Sequence, residues 1–312
     1  MSLRTKKILL FILLTFFIDW SMVYLYLALG GKIDSLGIML LGMAYMFVPM
    51  IVTIFLQKAI FKQPLAGPMG ISFKVNRWFF VAWFLPPIIA FAVMGVSLLL
   101  PGVTFTPDMS GFIDSLASAI DPQQMEQARE QLASMPVHPV WLIVILALIS
   151  GTTTNAILGF GEELGWRGFL LKELSFMGFW KSSALIGFIW GVWHAPLILL
   201  GLNYPQNPQL GVLLMTAWTI LLAPLFSYIR IKSRSVIAAA IFHGTINAVP
   251  GLAIILISGG NDLTVGLTGL AGFIVFALAD ILLWIYDRFI TREKAGDILK
   301  LMFVEPECGP MV

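Results

Sequence analysis

The chain holds one cysteine, Cys308, so no intrachain disulfide can form. Cys308 is the fifth residue from the end rather than the fourth, so the tail CGPMV does not read as a prenylation box, and the thiol reads as inert. Charge is scarce. Only 12% of residues are charged, against about a quarter in soluble domains. The net charge of +2 is too small to imply a nucleic-acid partner. Alternating polar and apolar stretches are missing, which argues against strands. No internal repeat and no linker is visible, so residues 1–312 read as a single integral-membrane domain.

What is plentiful is apolar surface. Hydrophobic residues make up 59% of the chain, and the mean hydropathy is +0.91. A bilayer admits helices of roughly 20 apolar residues or a closed barrel. The unbroken runs predict an all-α, polytopic membrane helix bundle of about eight spans, near 8–29, 36–56, 78–100, 140–161, 183–201, 210–229, 236–258 and 264–286. The first span follows RTKK and is too long for a cleaved signal, so it reads as an uncleaved anchor. The 24 Phe, 10 Trp and 15 Met read as lipid-facing and packing residues.

Placing the N-terminus inside and alternating puts every lysine and arginine except Lys32 and Arg129 in inner segments. Both termini are therefore expected in the cytoplasm. The longest non-membrane segment, 101–139, falls outside. Within it DPQQMEQAREQLASM predicts a short helix capped by Asp121, Pro122 and Gln124. Met125, Ala128, Leu132 and Met135 would form its apolar stripe.

Ionisable groups inside a membrane are costly and usually face the bundle interior. The candidates are Asp19, Glu162, Glu163, Arg167, His194, His243 and Asp280. His138 lies in the outer loop and reads as solvated. Asp19 and Asp280 lack partners in sequence and read as helix-packing or interface residues. In GFGEELGWRG, Glu163 and Arg167 are four apart and can pair on one helix face. Glu162 is turned about 100° away, onto the face of Asn155, and is left for chemistry. A charged cluster at a helix end would look the same. In FIWGVWHAPL, Trp190 is one turn before His194 and can pack over the imidazole, while Pro196 frees the carbonyl of Val192. In FHGTINAVPG, His243 and Asn247 share a face, Gly244 permits close helix approach, and Pro250 frees the carbonyl of Ile246. Interhelical hydrogen bonding is the plainer role for both histidines.

With the expected topology, Glu162, His194 and His243 all fall in the inner half of the bilayer and can converge. Glu162 can take a proton from water that His194 orients, and His243 with Asn247 can donate to an oxyanion. This inventory suits amide hydrolysis without a serine or cysteine nucleophile. The same Glu162, His194 and His243 can alternatively be zinc ligands, although no H-E-x-x-H helix is present.

EELGWR, then a histidine one turn after an aromatic, then HGTIN, resemble in that order the motifs of the CPBP family. The family includes the CAAX prenyl endopeptidases of the Ras-converting type and the bacteriocin-immunity-like Abi proteins. The motif block covers about 162–247, and the eight-helix layout extends the likeness over most of the chain. One departure is Trp190, where phenylalanine is usual. The resemblance implies an intramembrane endopeptidase of the cell membrane, with its active site in the cytoplasmic half of the bilayer. It implies Glu162 and His194 as the water-activating pair, and His243 and Asn247 as the oxyanion hole. Glu163 and Arg167 match the supporting positions, and no metal is required. The implied partner is a peptide or a protein C-terminus, possibly prenylated in relatives that cut CAAX proteins. A non-catalytic immunity or transport protein is the rival class, although the paired repeats of a transporter are not found. The topology makes a prediction. Alkaline phosphatase fused after residue 312 should be inactive in a bacterial host, and phosphatase inserted in 101–139 should be active. The opposite pattern would invert the orientation.

Overall fold

The structure, a computed structural model, describes residues 1–33, 35–116, 123, 126, 127, 130, 131 and 134–303. The capping residues expected at Asp121, Pro122 and Gln124 lie outside these, as do Met125, Ala128, Leu132, Arg129 and Cys308. Met135 is described and exposed.

The bundle starts with α1 (Leu3–Ala28), whose N-terminus is capped by the Ser2 hydroxyl accepting from Thr5 N–H. The helices α2 (Ser35–Tyr45) and α3 (Val48–Phe55) run on into a wide π turn, Leu56–Ile60, and α4 (Ala66–Met69) follows. Asn76 caps α5 (Arg77–Ser97). After β1 (Thr104–Phe105) and α6 (Ser110–Leu116), the chain returns through α7 (Pro139–Thr152) and α8 (Thr154–Glu163). The path of α8 continues through π turns, Leu164–Leu170, into α9 (Leu171–Leu174). Then come α10 (Phe179–Trp193), α11 (Ala195–Leu199), α12 (Pro208–Ser233) and α13 (Val236–Ala248). The short β2 (Ile257–Ser258) pairs antiparallel with β1, before α14 (Leu270–Ile285) and α15 (Ala295–Phe303).

The all-α polytopic architecture is as the sequence predicts, but the spans are not eight continuous helices. Among the described residues five stretches are long and apolar enough to cross: Leu3–Ala28, Leu36–Ile60, Arg77–Ser97, Pro208–Ser233 and Leu270–Ile290. A sixth is bent by 46° between Pro139–Thr152 and Thr154–Met177. The cause of the bend is local. Thr152 and Thr153 turn their hydroxyls back onto the Ile149 carbonyl, at 3.0 and 2.7 Å, and compete with the helix ladder. The two expected spans that fall short are those that carry the histidines. α10 has 15 residues and ends at His194, and α13 has 13 and yields to a tight turn at Pro250. Pro196 and Pro250 lack the N–H that would continue each helix.

Small residues set the interhelical distances, as expected where lipid offers no hydrophobic drive for association. α13 lies against α8, and a Cβ at Gly244 would stand 2.5 Å from Ala156 N and 2.6 Å from the Gly151 carbonyl. α10 lies against α12, where the Thr219 hydroxyl donates to the Gly187 carbonyl at 2.8 Å.

The two ends of the bundle differ in chemistry. At one end Lys7 meets Glu173 at 3.4 Å, Arg230 donates to the Met69 carbonyl at 3.1 Å, and Lys232 reaches Thr291 and Glu293. At the other end lie the β1–β2 pair, the Tyr204 hydroxyl on the Thr268 carbonyl (2.7 Å), and His138. His138 is exposed as expected, and it also caps α7 through Nδ1 and bonds the Pro107 carbonyl through Nε2. Gly244→Val is expected to cost about 1–3 kcal/mol through overpacking. Lowered thermal unfolding in detergent would register the loss, and an unchanged melt would show that the helices separate freely.

Candidate active site

Glu162, Trp190, His194, His243 and Asn247 all line one cavity of about 360 Å³. Its other walls include Tyr45 and Met46 from the second span and Met215, Trp218 and Phe226 from α12. Glu162 is 2% exposed and His243 3%, while Asn247 is open to the cavity mouth. Asn155, which shares the Glu162 face in an ideal helix, instead donates to the Ser150 hydroxyl at 3.2 Å. It takes no part in the cluster.

The expected Glu163–Arg167 pair is present, with Nη1 to Oε1 at 3.0 Å and both side chains fully buried. The same Oε1 accepts from His243 Nδ1 at 2.8 Å. Glu163 thus ties the arginine on its own helix to the imidazole of α13. The guanidinium is also stacked by apolar rings, 4.5 Å from the Trp190 centroid and 4.3 Å from that of Phe226.

Glu162 is held by indoles. Its Oε2 accepts from Trp190 Nε1 at 2.6 Å and from Trp166 Nε1 at 3.2 Å. Its Oε1 faces His243 Nε2 at 3.8 Å. That separation lets a water sit within hydrogen-bond reach of both atoms. Trp190 does pack against His194, with ring centroids 5.6 Å apart. It also anchors that ring. The His194 N–H turns back to Gly191, so the Trp190 carbonyl is left to take His194 Nδ1 at 2.8 Å. A carbonyl can only accept, so Nδ1 carries the proton and Nε2 is left with its lone pair.

Sequence reasoning missed several residues here. Trp166 sits inside the quoted EELGWR, and a donor four residues after Glu162 was a readable signal. Asp19 is not merely a packing residue. Fully buried, it accepts from Trp193 Nε1 at 2.6 Å, beside His194. Tyr45 donates to the Trp193 carbonyl at 2.6 Å, and Trp20 donates to it at 3.3 Å. No local pattern announces contacts between residues so far apart in the chain. Asp280 stays outside the cluster, and its Oδ1 has no hydrogen-bond partner among the described residues.

Among the described residues no three His, Cys, Asp or Glu side chains stand together as a metal-holding group.

Residues 136–249 match the family described as type II CAAX prenyl endopeptidase Rce1-like. The resemblance carried by the three motifs is thereby borne out. A curated relative, CAAX prenyl protease 2 of Methanococcus maripaludis, is 32% identical over 141 residues, covering 43% of this chain and 49% of the relative. The chain thus spans about half the length of the relative it matches. The matched block contains Glu162, Glu163, Arg167, Trp190, His194, His243 and Asn247, but not Asp19 or Tyr45.

Because Glu163 neutralises a fully buried guanidinium, Glu163→Ala is expected to destabilise by about 3–5 kcal/mol. The double change Glu163→Leu with Arg167→Met should cost less than the single one. Denaturation in detergent compares the two, and equal losses would remove the charge-pair explanation.

Proposed function

We propose that the chain is an intramembrane endopeptidase of the CAAX-prenyl-protease-like kind, acting in the cell membrane by water that Glu162 activates. The observation that carries this reading is the pinned carboxylate. Two indoles hold Oε2, and Oε1 is left facing His243 Nε2 within one water of it. A fixed, buried base needs little reorganisation when the proton moves.

In this reading a water gives its proton to Glu162 Oε1 while His194 Nε2, its ring fixed by the Trp190 carbonyl, orients it. The hydroxide oxygen forms a bond to the peptide carbonyl carbon. Asn247 and His243 donate to the resulting oxyanion. With Nδ1–H given to Glu163, His243 donates from Nε2, so the ring must carry both protons while the tetrahedral intermediate exists. Glu162 then passes its proton to the leaving nitrogen as the C–N bond breaks. Glu163 and Arg167 hold the ring and touch no substrate. Whether the peptide is prenylated is open to direct assay.

Purified protein should cleave a farnesylated C-terminal peptide or its unprenylated counterpart. Glu162→Ala should lower kcat by at least about 10²-fold, the lower range for loss of a general base. Activity in the variant equal to the parent would end the hydrolase reading. Loss on chelation that zinc restores would replace it with the metal version.

A further inference from the structure

α1 meets the bundle along one oblique ridge. Its buried residues are Lys7, Phe11, Thr15, Asp19 and Val23, each four positions after the last, and its other residues are half-buried or exposed. An ionisable side chain on that ridge is costly at membrane depth unless it is engaged. Lys7 is met by Glu173. Asp19 is met by an indole. It is fully buried, its Oδ2 accepts from Trp193 Nε1 at 2.6 Å, and its Oδ1 has no hydrogen-bond partner among the described residues. Plain packing is served at least as well by leucine, which leaves no oxygen unpaired.

Trp193 is the last residue of α10, directly before the break at His194. Its ring touches both halves of the site. The ring centroid is 4.8 Å from that of His194, edge to face at 77°, and 5.5 Å from that of Trp166 at 72°. Trp166 in turn donates to Glu162 Oε2. The ring that orients the water in the proposed reaction and the ring that holds the base therefore lean on one indole. A buried indole N–H takes an acceptor, and that acceptor fixes which way the ring faces. Among the described residues, Asp19 is the one acceptor that Trp193 Nε1 has.

We propose that Asp19 is a positioning residue for Glu162 and His194, acting through the indole of Trp193. The carboxylate touches no substrate. It pins the indole at the wall of the Glu162 cavity, which Trp193 lines, and the pinned ring limits the swing of the His194 imidazole and of Trp166. α1 thus serves the site from outside the matched block 136–249. With the acceptor gone, the indole N–H is left unpaired in apolar surroundings, and the ring turns to find another partner. The role in catalysis rests on the endopeptidase reading, whereas the bracing of His194 rests on geometry alone.

The test compares substitutions at Asp19 with a control on the same ridge. Asp19→Leu removes the acceptor and Asp19→Asn keeps one. Thr15→Val alters the ridge one turn earlier, where the Thr15 hydroxyl has no hydrogen-bond partner among the described residues. On a quenched-fluorescent peptide, with rates referred to folded protein, Asp19→Leu should lower kcat about tenfold or more and leave KM within about twofold. Asp19→Asn should recover most of the loss, and Thr15→Val should match the parent. Where Asp19→Leu does not fold, Trp193→Phe, which keeps a ring and lacks the N–H, should show the same split between kcat and KM. A parent-like kcat in folded Asp19→Leu overturns the proposal. So does a loss shared equally by Thr15→Val, or one as heavy in Asp19→Asn as in Asp19→Leu. A second readout needs no activity. In protein carrying isotope-labelled histidine, the His194 ring nitrogens, observed by NMR and assigned with His194→Gln, should shift or broaden in Asp19→Leu while those of His138 stay put. Unchanged His194 signals overturn the bracing. If the parent cleaves no peptide, the endopeptidase reading falls, and the His194 signals alone decide the positioning role.

Discussion

Glu163 bears the polar interior of this bundle. One of its oxygens takes both Arg167 and His243, so a cation on one helix and an imidazole on another are fixed by a single acceptor. In a low-dielectric interior such a group is tolerable only with partners close at hand, and removing any one strands the others. The aromatic faces of Trp190 and Phe226 cover the guanidinium and exclude water from it. The rest of the site is built against this immobile core, and Glu162, the neighbour in sequence, is left on the cavity side.

Helix irregularity is the second ingredient. A regular α-helix consumes its own carbonyls, whereas the site uses several that are released. The break at His194 leaves the Trp190 carbonyl to fix an imidazole, and the Trp193 carbonyl takes Tyr45 and Trp20. The π turns at Leu164–Leu170 follow immediately after the two carboxylates. Non-helical backbone at membrane depth persists where it is buried in protein or faces a cavity, and both conditions hold here.

How far the sequence spoke depended on range. The Glu163–Arg167 pair and the packing of Trp190 on His194 follow from four-residue spacing, and both are present. Close approach at Gly244 was equally legible, because a missing side chain inside an apolar helix invites a neighbour. The bend at Thr153 was not, because it arises from hydroxyls competing for one carbonyl, a balance that periodicity does not encode. The Asp19–Trp193 bond joins residues that only the tertiary fold brings together. Span counting from hydropathy ran past both histidine-bearing helices, since apolar sequence continues after proline stops the helix.

The family match covers 136–249, yet Tyr45 and Met46 form a wall of the same hollow, and Asp19 braces the indole next to His194. The recognisable segment is therefore smaller than the working unit. A fragment cut to it would keep every motif residue and lose one side of the chamber, exposing the carboxylates to lipid where the first two spans had stood.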